Sequence, residues 1–325
     1  MKILVTGGAG FIGSHFIKYM VHQYPQHMIV NLDKLTYAGN LKTCQEIENY
    51  PNYQFIKGDI CHKNFILQLF EKEKFDIVVH FAAETHVDRS IENPDVFIQT
   101  NVVGTSILLE ASLQNGIQRF HQISTDEVYG DLPLNRKDLL FNENSPLSPS
   151  NPYSASKASA DLLVLSYYRT YGLPVTISRC SNNFGSYQFP EKFIPLMTLQ
   201  ALHNQPLFLY GNGENVRDWI YVNDHCQAID FILKYGKIGE IYHIGAHEEK
   251  SNIEVAQLIL KIITHSQSSI QFIEDRKGHD LRYALDTTKL EALGWKSQYH
   301  FKEAIIDTIK WYQDHPEWWN DIYQK

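Results

Sequence analysis

Seven residues near the amino terminus constrain the fold more than any other stretch: Gly7-Gly8-Ala9-Gly10-Phe11-Ile12-Gly13. They follow the β-rich run Lys2–Thr6 and lead into a run of helical character. Gly8, Gly10 and Gly13 form G-x-G-x-x-G, and Gly7 extends the pattern by one glycine. Glycine allows a tight turn and a close backbone approach to a pyrophosphate, while the start of the helix offers unpaired N–H groups to that anion. Alone the pattern is weak. Between a strand and a helix it marks the first βαβ unit of a dinucleotide-binding fold.

The chain then alternates. Strands are predicted at Lys2–Thr6, Met28–Asp33, Gln54–Lys57, Phe75–Ala83, Phe120–Thr125 and Pro174–Cys180. Helices are predicted near Ser14–Gln23, Lys63–Glu73, Asp95–Asn115 and Tyr153–Tyr171. Alternation of this kind implies a parallel sheet with helices on both faces. Ile77-Val78-Val79 is wholly apolar, as a strand covered on both sides should be. Beyond about residue 180 prolines and aromatics increase, Gly211-Asn212-Gly213 signals a turn, and helices are predicted near Asn252–Thr264 and Phe301–Gln313. The expected architecture is α/β: a Rossmann-type, doubly wound parallel-sheet domain over residues 1–180 and a smaller mixed substrate lobe over 181–325. A return to the first domain is expected near 215–246, through a strand at Ile241–Gly245. A chain of 325 residues is long enough for two packed lobes.

Composition narrows the partners. Net charge is −8 and no lysine/arginine block stands out, which argues against nucleic acid. The four cysteines show no C-x-x-C spacing, so neither a zinc site nor a redox motif is indicated. His243 and His247 are four apart but flank a strand end, where that spacing loses its metal-binding geometry, and no metal is expected. The first apolar run is too short for a signal peptide's core, and no later run reads as long enough to span a bilayer. The expectation is a soluble cytoplasmic protein with no membrane contact.

Two regions carry chemistry. Asp33 lies at the end of the second predicted strand, where a carboxylate accepts the ribose hydroxyls of NAD and repels the 2′-phosphate of NADP. Lys34 beside it would soften that preference. Asp59, after the third strand, is placed either to reach the adenine or to cap its loop. Ala82 and Ala83 are small enough for a cofactor to lie against the backbone. At the other end, Tyr153-Ser-Ala-Ser-Lys157 puts a phenol and an ammonium on one helix face. A free tyrosine titrates near 10, and about 4 kcal/mol of preferential stabilisation of its phenolate would bring it near neutrality. A buried Lys157 and a positively charged nicotinamide could supply it.

This combination resembles the extended short-chain dehydrogenase/reductase family. The resemblance implies that Thr125 shares the proton of the reacting sugar hydroxyl. A dehydrogenase needs nothing more, yet Thr125 is followed by Asp126 and Glu127. An adjacent acid and base fit a second reaction. Oxidation of a sugar at C4 makes the C5 proton acidic, so that a base at C5 and an acid at the C6 oxygen can expel water. Glu127 would be the ionised base. Asp126 would be the protonated acid, its pKa raised by its neighbour's charge. Consecutive strand residues point oppositely, but a turn at the strand's end could aim both inward.

The segment "STDEVYG" is similar to that of the dTDP-glucose 4,6-dehydratases, and the likeness runs along essentially the whole chain. Further segments are "AAETHVDRSI" at 82–91, "NPYSASKASAD" at 151–161, "RCSNNFG" at 179–185, "FPEKFIPL" at 189–196, "NVRDWIYVNDH" at 215–225 and "DRKGHDLRYA" at 275–284. The resemblance implies tightly held NAD, contacted by Gly7, Gly10, Phe11, Ile12, Gly13, Asp33, Lys34, Thr36, Asp59, Ile60, Ala82, Ala83, Glu84, Thr100, Tyr153, Lys157 and Asn183. It implies a nucleotide-sugar substrate, most simply dTDP-glucose. Thr85, Thr125, Asp126, Glu127, Asn182, Lys192, Phe208, Tyr210, Arg217, Asn252, Arg282 and Tyr283 would contact it. The product would be a 4-keto-6-deoxy sugar. Phe184 and Ser186 depart from the commoner tyrosine and proline of the family's "NNYGPY". By the same analogy the apolar helices Asp95–Asn115 and Tyr153–Tyr171 would pair two copies into a homodimer. The rival on this scaffold is a nucleotide-sugar 4-epimerase or decarboxylase, for which Asp126 and Glu127 would be dispensable. A non-catalytic NAD-binding regulator would not need Tyr153 and Lys157. The base stays open between dTDP and UDP.

Overall fold

The computed structural model describes residues 1–323. Twelve strands follow in chain order: β1 (Lys2–Thr6), β2 (Met28–Asp33), β3 (Tyr53–Lys57), β4 (Ile77–His80), β5 (Arg119–Thr125), β6 (Val175–Cys180), β7 (Asn182–Phe184), β8 (Leu207–Tyr210), β9 (Val216–Tyr221), β10 (Ile241–Ile244), β11 (Glu249–Ser251) and β12 (Ile270–Ile273). Seven build one sheet, in the order β10-β6-β5-β4-β1-β2-β3. All its pairings are parallel. Leu4 sits in register with Val30 on one side and Val78 on the other, and all three are fully buried. A row of side chains apolar on both faces needs cover on both faces. Helices Phe11–Gln23 and Val222–Tyr235 supply one, through Phe16, Ile17, Ile229 and Ile232. Helices Lys63–Glu73, Thr105–Asn115 and Pro152–Tyr171 supply the other, through Phe70, Leu108 and Val164.

The order matters for function. From β1 the chain winds outward to β2 and β3, then returns to β4 on the other side of β1. Loops leaving the carboxyl ends of β1 and β4 therefore diverge and open a crevice, where doubly wound sheets bind ligands. The smaller sheets, β11-β9-β7 and β12-β8, stand at that end. Their core is Phe184, Ile194, Trp219, Phe301 and their neighbours. The chain crosses more than once: β9 pairs in the small sheet, the next helix lies on the large one, and β10 forms its edge. Strand β4 is shorter than the Phe75–Ala83 expected, because Phe81–Thr85 leave the ladder to line the crevice.

Two further expectations are corrected. The helix Asp95–Asn115 is not regular: Pro94–Phe97 passes through a π-helical turn, Ile98–Gly104, into Thr105–Asn115. The wider turn directs Asn101 inward, where its amide donates to Glu84 O (3.0 Å) and Ser156 Oγ (2.8 Å) and its Oδ1 accepts from Glu84 N (2.8 Å). Such bulges are frequent at functional sites. Second, among the described residues the 22-residue stretch Pro94–Asn115 is long and apolar enough, by length and composition, to cross a membrane. Half of its most apolar 18-residue window is buried inside the fold, as in the core helix of a globular protein.

Candidate active site

The crevice is a cavity of about 320 Å³, within the range of small-molecule sites (about 300–1,000 Å³). One wall is the glycine loop. Gly10 precedes the helix Phe11–Gln23 in extended conformation and offers no side-chain cap, so the first helical N–H groups are left for another acceptor. Gly7 has φ +71°, and a Cβ there would lie 2.6 Å from Ala82 N. A Cβ on Gly13 would lie 2.3 Å from Gly7 O. The loop is thus closed on itself and on the end of β4, leaving bare backbone toward the cavity. That is a cradle for a diphosphate.

Asp33 ends β2 on the same wall and is buried. Ala9 N donates to its Oδ2 (2.9 Å) and Leu35 N to its Oδ1 (2.7 Å). Each carboxylate oxygen keeps a second lone pair, so both can still accept from a ribose. Burial raises its pKa and the two N–H groups oppose the rise. Lys34 does not stand against Asp33. Its Nζ pairs with Asp59 Oδ2 at 2.7 Å, while Asp59 Oδ1 accepts from Cys61 N (2.9 Å). Asp59 is therefore both a loop cap and a cavity residue, and Lys34, which also lines the cavity, is its ion-pair partner. All seventeen residues expected at NAD line this one cavity.

The reacting end is assembled by β5 and the helix Pro152–Tyr171. Asn151 caps that helix, accepting from Ser154 N (3.0 Å), and Pro152 opens it. This fixes Tyr153 in the first turn, over the end of β5. Lys157, one turn on, donates to Ile123 O (2.6 Å) instead of sitting in a bond with the phenol. Beyond β5 the chain enters a 3₁₀ turn, Asp126–Tyr129, which brings both carboxylates to the cavity wall beside Thr125, Tyr153 and Lys157. Thr125 Oγ1 accepts from Glu127 N (3.3 Å) and donates to Asp126 Oδ1 (3.2 Å).

The two carboxylates are electrostatically unlike. Burial holds Asp126 well above the usual carboxylate range, and the charges of Glu127 and Asp218 push it further. Burial also raises Glu127, but Arg217, Arg276 and Lys192 oppose it with positive charge. The pair is thus biased toward a protonated Asp126 beside an ionised Glu127. Tyr153 is held well above its ordinary value by burial, then by the charges of Glu127, Cys180 and Asp126. Burial lowers Lys157, opposed by Asp161. Asp126 Oδ2 and Asn182 Oδ1 are buried without a partner among the described residues, and both residues line the cavity.

Of the residues expected at the substrate, Thr85, Thr125, Asp126, Glu127, Asn182 and Lys192 line the cavity, and Lys192 Nζ donates to Thr85 O (3.0 Å). The others stand outside it. Arg217 and Tyr283 are buried behind the wall, the guanidinium 4.3 Å from the ring centroid, and Arg217 acts on Glu127 through its charge. Asn252 starts the helix Asn252–Ile262. Phe208 and Tyr210 lie on β8 with exposed side chains. Arg282 is engaged by the protein itself. It is 1% exposed, forks onto Glu249 (2.6 and 2.8 Å) and donates to Arg136 O and Leu139 O, so four of its five N–H donors tie loops together.

Several residues escaped the sequence reading. Arg276 lies in "DRKGHDLRYA" and faces Glu127 electrostatically, while its Nε is buried without a partner among the described residues. Glu191 bridges the lobes over the crevice: Tyr37 donates to it (2.9 Å), and Arg89 pairs with it (3.2 Å) while stacking on Tyr37 (3.7 Å). Membership of a matching segment was their only signal. His243, buried, and His247, exposed, serve as hydrogen-bond partners of Tyr129 and Thr287.

Known proteins fit this geometry. A family described as GDP-mannose 4,6 dehydratase matches residues 4–308. A dTDP-glucose 4,6-dehydratase of Escherichia coli is 47% identical over 99% of this chain and 96% of its own length. One from Neisseria meningitidis serogroup B is 47% identical with the same coverage. Among solved structures, DesIV of Streptomyces venezuelae, a dTDP-glucose 4,6-dehydratase with NAD bound, superposes with TM-score 0.95 at 44% identity, over 99% of this chain and all of that one. The UDP-glucose 4-epimerase of Thermus thermophilus, in complex with NAD, is more distant. Its TM-score is 0.88 and its identity 29%, over 96% of this chain and 99% of its own.

Proposed function

The chain belongs to the GDP-mannose 4,6 dehydratase family, with dTDP-glucose 4,6-dehydratases as close relatives, and from that premise we propose how its residues perform the reaction. It is an NAD-dependent hydro-lyase that converts dTDP-glucose to dTDP-4-keto-6-deoxyglucose. The observation that supports the role of each residue is the unlike pair Asp126 and Glu127 on one wall with Tyr153. A 4-epimerase has no use for it.

Bound in the cradle, NAD supplies an acceptor for the hydride of C4 and a donor for C6. The chain does the rest. Tyr153, with Thr125 sharing the proton, takes the proton of the C4 hydroxyl. Lys157 adds positive charge near the phenolate. Glu127 then removes the proton at C5, now acidic beside the ketone. Asp126 gives its proton to the C6 oxygen, the C6–O bond breaks and water departs. Return of a proton to C5 completes the product. Asn182 and Lys192 hold the sugar diphosphate from the small-lobe side. Atoms balance: one water leaves and the cofactor ends as it began. With C4-deuterated dTDP-glucose the expected product has lost one water and carries deuterium at C6, with no net reduced cofactor. Deuterium retained at C4 in a product of unchanged mass would favour the epimerase instead.

The reading includes a cytoplasmic homodimer that needs no nucleic acid and no membrane. The helical face of Pro94–Asn115 and Pro152–Tyr171 leaves Val96, Ile98, Val103 and Leu162 exposed, Leu162 by 58%. Exposed apolar side chains on helices that pack against each other favour an interaction surface, and a second copy presents the same side chains. Leu162→Glu is expected to shift the protein from dimer to monomer in sedimentation equilibrium. A wild type that sediments as a monomer would refute the pairing.

A further inference from the structure

Behind the acid–base turn lies a buried chain of polar groups that no step above uses. Asp161 and Arg179 are 0% and 2% exposed and pair at 2.9 Å, Arg179 Nε to Asp161 Oδ2. Ser124 Oγ donates to the same oxygen (2.9 Å). From its other end Arg179 Nη1 donates to Tyr129 OH (2.5 Å), and the ring of Tyr129 packs near the guanidinium. His243 Nδ1 faces the carbonyl of Asp286 (3.0 Å), which can only accept. That fixes the tautomer: Nδ1 carries the proton and Nε2 accepts from Tyr129 OH (2.7 Å). Donation therefore runs one way, from Arg179 through Tyr129 and His243 to Asp286 O.

A buried ion pair is a poor stabiliser, since desolvation consumes most of its Coulomb gain, and apolar residues of similar volume often serve as well. Its other hydrogen bonds here involve two particular residues: Asp161 accepts from Ser124, and Arg179 donates to Tyr129. Ser124 immediately precedes Thr125, and Tyr129 closes the turn Asp126–Tyr129. The two clamped positions bracket Thr125, Asp126 and Glu127, but Thr125 is also held in the β5–β6 ladder opposite Cys180, so only the two carboxylates depend on the turn. Asp161 also stands four residues after Lys157 on one helix, so the same carboxylate faces both reacting elements.

Resting on the reading above, we infer that Asp161–Arg179–Tyr129–His243 is a positioning device. It clamps the turn so that Asp126 and Glu127 reach C6 and C5 of a sugar already oxidised at C4. Tyr129 is then a positioning residue for elimination and is indifferent to C4 oxidation. A merely structural role would slow both steps together.

The test uses single-turnover kinetics of the NAD-loaded enzyme with dTDP-glucose. It follows the absorbance of reduced nicotinamide alongside the loss of water by mass spectrometry. In Tyr129→Phe, C4 oxidation is expected at the wild-type rate and water loss at least tenfold slower, so the reduced-cofactor transient grows. Ser124→Ala, which deletes one hydrogen bond only, should move the same partition by a smaller factor. Melting temperature and bound NAD are read alongside. Equal slowing of both steps, an unchanged partition, or loss of fold or NAD in both variants would overturn the positioning role. Failure of the wild type itself to expel water would instead remove the dehydratase reading beneath it.

Discussion

Glu127→Gln is expected to oxidise its substrate and then stall. Glutamine keeps the shape of the side chain and removes the base. Loss of a positioned general base costs about 10²–10⁴-fold, and here the loss should fall on a single step. C4 deprotonation belongs to Tyr153 on the neighbouring helix, so reduced nicotinamide should accumulate while neither water loss nor solvent exchange at C5 occurs. Asp126→Asn should differ. Its base is intact, so C5 should exchange with solvent deuterium, but asparagine has no proton to give the C6 oxygen and dehydration should fail. The pKa directions sharpen the contrast. Glu127 is raised by burial against three opposing cations, whereas Asp126 is raised by burial and by Glu127 itself. In wild type, elimination should therefore fade at acid pH as Glu127 takes a proton, and at alkaline pH as Asp126 loses one. Water loss and C5 exchange at wild-type rates in Glu127→Gln would transfer the base to another residue.

The cofactor half of the site was legible because it depends on strand ends. In a parallel sheet every carboxyl end points to the same edge, so a residue just past a predicted strand is placed without knowing the rest. Asp33, Asp59 and Ala82 were located in that way, and all three line the cavity. The substrate half depends on loops returning from far along the chain. Arg282 illustrates the difficulty: its partner Glu249 and the carbonyls of Arg136 and Leu139 are distant in sequence, and no periodicity announces that they meet. An arginine already engaged by protein reads the same in sequence as one awaiting a phosphate. The π-turn at Ile98–Gly104 was hidden for a different reason. One extra residue in a helical turn leaves apolar periodicity almost intact, and only the inward Asn101 reveals it.

Tyr153→Phe should act one step earlier than Glu127→Gln, with a loss of similar size, about 10²–10⁴-fold in kcat. The ring stays in its place against Phe97, 6.3 Å away edge-on, so KM should change little. The phenol needs help to act as a base at all. Within the protein alone, burial and then the charge of Glu127 hold it protonated. Only positive charge on the reacting side can reverse that bias, and each tenfold gain in phenolate requires about 1.4 kcal/mol. Lys157 supplies one such charge. It is anchored by Ile123 O, and the charge of Asp161 favours its ammonium against the pull of burial. Lys157→Met should therefore mimic Tyr153→Phe and respond to raised pH, since a more alkaline solution restores phenolate that the lysine no longer favours. Tyr153→Phe has no proton to lose and should not respond. Combining Tyr153→Phe with Glu127→Gln should abolish the reduced-nicotinamide transient of the latter. A transient that survives in the double variant would mean that C4 is deprotonated by some other group.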